Sequence, residues 1–332
     1  MTCQKKILVN VIANKKIGLG HVYNILTILP HFKNDEIFVV MNKKNSLGID
    51  KFKERVSRVQ TFENTSQLFQ IIKKFSPDII INDILNTNES YVKKLKKFGI
   101  FVINFEDLGR GSDFANLVFN PIYYQKSTSK KFFGEKYACV REEFRKGRKN
   151  ISKNSVVITF GGVDPKKLTI RVLKILKKFK PNFKIIVIVG HEFSHKDRVF
   201  YEVEKVKQVG IKIEVVEKTD AISKFIDSSM FVITANGRTV FEVASRNIPI
   251  ITISANPREE KHEFPIKQKI GYHLGLHSQV RNKEILEAIK KMEKQKNRFR
   301  FEKNLEKINL KNSVYRVEKI ICDNYKEWLK KR

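Results

Sequence analysis

The sequence predicts an α/β protein made of two doubly wound domains, each a parallel sheet with helices on both faces, and three observations carry that prediction. Short apolar runs rich in β-branched residues alternate with segments of helical period, the pattern of parallel strands joined by crossover helices. The series occurs twice along the chain. Each series opens with a strand that runs directly into a glycine turn, and 332 residues suffice for two domains of roughly 100 to 200 residues each.

The strands can be taken in order. KILVNVIA (Lys6 to Ala13), EIFVVMN, SPDIIIND and GIFVINF make the first series; SVVITFGG, FKIIVIVG, IKIEVVE, MFVITANG and IPIITISA make the second. Between them lies FRKGRKNISKNS (Phe144 to Ser155), a polar, basic, glycine-containing stretch of the kind that links domains. The expected division is therefore residues 1–150, residues 151–310 and a terminal helix over 311–332. In that helix Val314, Val317, Ile320, Ile321, Tyr325 and Trp328 form one apolar stripe. Such a stripe either packs on the body of the protein or, with its basic surroundings, touches anionic lipid at a membrane surface.

Lys plus Arg number 66 against 35 Asp plus Glu, a formal charge of +31, which attracts polyanions in general. The excess is lysine scattered through helical segments such as KKLKK and KKMEKQK, and a solvated lysine-rich surface accounts for it. No RNA-recognition or helix-turn-helix signature accompanies the charge, so nucleic acid is not an expected partner. Cys3, Cys139 and Cys322 stand far apart with no CxxC pair, which suggests neither a zinc site nor a disulfide framework and fits a cytoplasmic protein. The first apolar run is too short for a signal peptide, and no stretch approaches the roughly 20 apolar residues of a membrane span.

Three turns can carry chemistry. In KIGLGHVYN (Lys16 to Asn24), Gly18 and Gly20 allow close approach to the backbone, and His21 stands at the mouth of a strand-to-helix turn. An imidazole there is either a general base beside an anion or a helix-capping residue. In TFGGVDP, Gly161 and Gly162 follow a strand, and Asp164 can cap the next helix. In TANGRTVFE, Gly237, Arg238 and Thr239 offer amides, a guanidinium and a hydroxyl to a diphosphate, while Glu242 either accepts the hydroxyls of a ribose or closes a capping box with Thr239. Asp83 and Asp107 end or follow strands, where a carboxylate can bind sugar hydroxyls, orient the histidine or simply serve a turn. His191, His195, His262, His273 and His277 have no partner spacing and read as surface residues. With no HExxH, no DxD and no clustered carboxylates, neither a metal nor another cofactor is expected.

Taken in order, GLGHVYN, PDIIIND, EDLGRGSDFANLVFNP, GEKYACVREEF, FGGVDP and GRTVFE make most of the chain resemble the nucleotide-sugar hydrolases of the pseudaminic acid pathway and the related spore-coat polysaccharide proteins. These resemble the lipid-II-forming glycosyltransferases in fold. The resemblance implies a GT-B architecture: two Rossmann-like domains facing an interdomain cleft, with a C-terminal helical extension. It implies hydrolysis that releases UDP from a diacetamido-trideoxy sugar without a metal, by water attack at the anomeric carbon, with His21 as the catalytic residue. Gly18, Gly20, Asn24, Asp83 and Asp107 would then lie on the substrate side, and Gly161, Gly162, Gly237, Arg238, Thr239 and Glu242 on the nucleotide side. Asn24 stands where the hydrolases usually carry arginine, and Val163 where serine is common. The alternatives are a glycosyltransferase of the same fold, its basic surface near a membrane-bound acceptor, and a nucleotide-sugar binding protein without turnover. The expected partner is a UDP-sugar, and the sequence leaves the oligomeric state open.

Overall fold

A computed structural model describes residues 4–146, 153–190, 192–217, 219 and 221–332. Cys3, His191 and the middle of the expected linker, including the boundary at residue 150, lie outside the described residues. The chain forms two compact units, residues 1–139 with 312–332, and residues 140–311.

The first unit is a seven-stranded sheet in the order β3-β2-β1-β4-β5-β6-β7. Its strands are β1 (Lys6–Val11), β2 (Glu36–Asn42), β3 (Arg58–Phe62), β4 (Ile79–Asp83), β5 (Phe101–Phe105), β6 (Leu117–Asn120) and β7 (Lys131–Phe133). Every pairing is parallel. The second unit is a six-stranded sheet in the order β10-β9-β8-β11-β12-β13, again parallel throughout. It comprises β8 (Ser155–Thr159), β9 (Lys184–Val189), β10 (Ile213–Glu217), β11 (Ser229–Ala235), β12 (Ile250–Ser254) and β13 (Gly271–Leu276).

Parallel strands need long crossovers, and the crossovers supply amphipathic helices that bury both faces of each sheet. In the first unit Ile7, Val9 and Val11 belong to one core and Leu8 to the other, as the two-residue period of a strand requires. The strand order reverses between β1 and β4 in the first sheet and between β8 and β11 in the second. In open α/β sheets such switch points are where ligands bind, outside the carboxyl ends of the strands. The carboxyl ends of β1, β4, β8 and β11, with the turns that follow them, lead to His21, Asp83, Gly161 and Gly237.

The expected division is shifted by the structure. Phe144 is fully buried and its carbonyl accepts hydrogen bonds of 3.3 Å from Ser245 Oγ and Arg246 Nη1, so residues 140–146 belong with the second unit. The last helix, Ser313–Lys330, returns to the first unit. Val314, Val317, Ile321 and Tyr325 sit in its core, and Tyr325 and Trp328 each meet Phe101 edge-on at 5.4 Å. The apolar stripe is thus used inside the protein. No described helix is long and apolar enough to cross a membrane.

Candidate functional site

In the first unit β1 hands over to the helix Gly20–Ile28 through a tight turn. Gly18 closes it with φ +84°, a left-handed conformation that costs a residue with a Cβ, and its amide bonds to Asn14 O at 2.8 Å. His21 does not cap the helix. The residue is 5 % exposed, and Nδ1 lies 2.6 Å from Asp83 Oδ1. Asn24, one turn further along the same face, donates from Nδ2 to Asp83 Oδ2 at 2.7 Å. Asp83 ends β4 opposite Val11 and is completely buried. Both oxygens of one carboxylate are therefore engaged by one helical turn. A carboxylate that accepts from Nδ1–H fixes the tautomer in which Nε2 is the basic nitrogen. The arrangement can take a proton from a hydroxyl at Nε2 while the adjacent negative charge stabilises the imidazolium.

Asp107 is placed differently. It is 1 % exposed, accepts from Thr87 N (3.0 Å), Thr87 Oγ1 (2.6 Å), Asn104 Nδ2 (2.6 Å) and Gly109 N (2.8 Å), and so faces the interior. Gly109 and Gly111 belong to the same knot: a Cβ at either would come within 2.2 Å of Thr87 atoms. This accounts for the glycines of EDLGRGSD by packing.

In the second unit β8 leads into Gly161, with φ +75°. Asp164 caps the helix Leu168–Phe179 through the amides of Leu168 (2.8 Å) and Thr169 (2.9 Å). Gly190 presses on this turn, where a Cβ would lie 2.5 Å from Gly162 O. After β11, Gly237, Arg238 and Thr239 are half-buried ahead of the six-residue helix Thr239–Ala244. Glu242 makes no capping box; its carboxylate takes Nε and Nη2 of Arg141 at 2.6 and 3.1 Å.

The turn is braced from below by residues that sequence reasoning passed over. Asn236 Nδ2 donates to the carbonyls of Glu259 (2.8 Å) and His262 (3.0 Å). Glu259 accepts from Ala255 N and Asn256 Nδ2, yet burial dominates and pushes its carboxyl up to about 7. A Cβ on Gly237 would sit 3.7 Å from Glu259 Oε1, so this carboxyl lies directly behind the turn. The Asn-x-x-Glu spacing of Asn256 and Glu259 is a capping signature visible in the sequence; its position under Gly237 is not. His262 is corrected from surface to core: fully buried, with Nδ1 2.9 Å from Asn236 O and its ring 4.8 Å from that of Phe241. His195, 6 % exposed and stacked on Phe193, is likewise interior.

A family model described as the glycosyltransferase family 28 C-terminal domain matches residues 155–320, half of the chain. The chain belongs to this family. The family 28 domain thus covers the turns at Gly161 and Gly237. The chain as a whole resembles solved structures in fold. MurG of Acinetobacter baumannii superposes with a TM-score of 0.68 at 12% identity, over 96% of this chain and 99% of that one. HepE of Anabaena, in complex with UDP, gives 0.66 at 12% identity over 97% and 100% of the two chains. The UDP-GlcNAc 2-epimerase of Neisseria meningitidis, bound to UDP-GlcNAc, gives 0.58 at 12% identity over 97% and 100%. The fold is GT-B-like, two Rossmann-like domains. An uncharacterized protein of Methanocaldococcus jannaschii is 28% identical over 82% of this chain, which spans 64% of that relative's length.

Proposed function

We propose that this family 28 protein is a glycosyltransferase that moves a sugar from a UDP-sugar to a hydroxyl acceptor, with His21 as general base. The observation that carries the reading is the His21–Asp83–Asn24 constellation, with Nδ1 2.6 Å from the carboxylate and Asp83 fully buried. Family membership supports a sugar-transfer reaction, and UDP or UDP-GlcNAc in two structures of like fold supports a uridine-linked donor. In the proposed reaction the acceptor oxygen attacks the anomeric carbon and its proton passes to Nε2 of His21. The bond from that carbon to the diphosphate breaks, and UDP leaves with the electron pair. The amides of Gly161, Gly162 and Gly237, the Thr239 hydroxyl and the Arg238 guanidinium would carry the charge of the leaving diphosphate. Glu242 would accept the ribose hydroxyls.

Hydrolysis is the second reading, favoured by GLGHVYN and by a histidine only 5 % exposed, which suits a nucleophile as small as water. It would release a free sugar, a diacetamido-trideoxy sugar in the resemblance above. One assay separates the two: UDP release from UDP-sugars with and without saccharide acceptors, with the sugar product identified. Release that depends on acceptor supports transfer. His21→Ala and Asp83→Asn are expected to lower kcat by about 10²- to 10⁴-fold while UDP binding persists. Wild-type turnover in His21→Ala would remove this base from either reaction.

A further inference from the structure

GEKYACVREEF has a role in folding at both ends, since Tyr137 packs in the core of the first unit and Phe144 is fully buried in the second. Folding alone leaves Arg141 unexplained. Its guanidinium uses three nitrogens on two carboxylates: Nε and Nη2 on the two oxygens of Glu242, and Nη1 on Glu143 Oε1 at 3.0 Å. The fork is held from both sides. Glu143 Oε2 accepts Ser223 N at 3.0 Å, and the guanidinium lies 4.9 Å from the centre of the Phe144 ring. The side chains of Arg141 and Glu242 remain 19% and 13% exposed, so the pair is mostly desolvated but still reachable by a ligand.

We propose that Arg141 is a positioning residue that makes Glu242 selective for ribose. An ionised carboxylate offers about four lone-pair sites. The bidentate fork takes two and fixes the plane of the group, leaving the outer two for a pair of vicinal hydroxyls. Lysine cannot reproduce this, because an ammonium is a point charge without a planar fork. The inference rests on the reading that Glu242 meets the nucleotide's ribose.

The test is the ratio of the dissociation constants of 2′-deoxy-UDP and UDP, measured by calorimetry on the full chain and on Arg141→Gln, Arg141→Lys and Glu242→Gln, with Tm recorded for each. Wild type is expected to prefer UDP by about tenfold or more, the worth of one charge-assisted hydrogen bond. Arg141→Gln should bring the ratio near one and weaken UDP about tenfold; Arg141→Lys, which keeps the positive charge, should recover part of the UDP affinity but little of the selectivity. If Glu242→Gln abolishes the preference while both Arg141 variants keep it, whatever their Tm, Arg141 only anchors its segment and the proposal is overturned. If Glu242→Gln leaves both UDP affinity and the ratio unchanged, the ribose reading of Glu242 falls and takes this proposal with it.

Discussion

Glu259 shows how one residue behind a turn can set the pH range of the site. With its carboxyl raised from 4.5 to about 7, the folded protein holds a proton between those values that the unfolded chain has released. Stability contributed by that proton is present below pH 4.5 and declines as pH rises to about 7, by up to about 3 kcal/mol at 1.36 kcal/mol per unit. Glu259→Gln should flatten this slope in urea titrations at successive pH values. The same titration bears on binding. Neutral Glu259 puts no negative charge behind Gly237, whereas ionised Glu259 would face the diphosphate proposed to bind at this turn, opposed by Arg258. The affinity for a UDP-sugar, whose diphosphate does not itself titrate there, is therefore expected to fall as pH rises past about 7 and to become pH-independent in Glu259→Gln. An unchanged slope in that variant would exclude Glu259 as the group. Residue identity alone could point to His21, because its turn is local in sequence. It could not join Arg141 to Glu242 or Glu259 to Gly237, since those pairs depend on how distant segments pack.

At the scale of elements, the first sheet carries a polar row through its interior. Asn10, Asn82 and Asn104 stand at one level on β1, β4 and β5. Hydrogen bonds link Asn10 Nδ2 to Tyr91 OH (3.3 Å), Tyr91 OH to Asn82 Oδ1 (2.8 Å) and Asn82 Nδ2 to Asn104 Oδ1 (2.9 Å), and Asn104 continues the row to Asp107. Burial raises the Tyr91 phenol, so it remains a donor across the ordinary pH range. Asp107 terminates the row and satisfies the Thr87 and Gly109 amides, which are otherwise orphaned beside it. Asp107→Ala should therefore cost about 3 to 5 kcal/mol, the penalty of several buried donors left without acceptors. Chemical denaturation would read it directly; a loss below about 1 kcal/mol would mean that water replaces the carboxylate. The asparagines of KILVNV, IIIND and FVINF are plain in the sequence, but their common level is a matter of register, which pairs strands dozens of residues apart. Register also explains the strands that patterning missed. β3 alternates exposed with half-buried residues up to the buried Phe62 at a sheet edge, β7 is a three-residue edge strand, and β13 is half-buried throughout. None presents the continuous apolar run that marked the central strands. β6, though fully buried, has only four residues and sits within the glycine-containing EDLGRGSDFANLVFNP stretch.

At the scale of the molecule, the chain passes between its two units twice, after Cys139 and after Lys311, so the first unit is completed only by the last segment. The stripe of that segment was legible, but which unit it covers was not, because either sheet offers an apolar face to a helix of this period. The structure assigns it through specific contacts: His31 Nδ1 lies 2.6 Å from Glu318 Oε2, Arg316 Nη1 donates to Lys136 O at 2.6 Å, and Arg332 Nη1 to Gly99 O at 2.9 Å. Val314, Val317, Ile321 and Tyr325 are each at most 8 % exposed. At about 1.5 to 3 kcal/mol per buried side chain, removing them withdraws roughly 6 to 12 kcal/mol, comparable with the whole stability of a domain. A chain ending at Lys311 is accordingly expected to lose the first unit and keep the second, which spans residues 140–311 and has a core cluster of its own between Val156 and Phe301. Hydrogen exchange read by mass spectrometry should then show unprotected amides over 4–139 and protected strands from β8 to β13. If the family 28 domain alone grips the proposed nucleotide, UDP should still raise the remaining melting transition of this truncated chain; a transition that UDP leaves unmoved, where UDP does raise that of the full chain, would place part of the hold in the first unit instead.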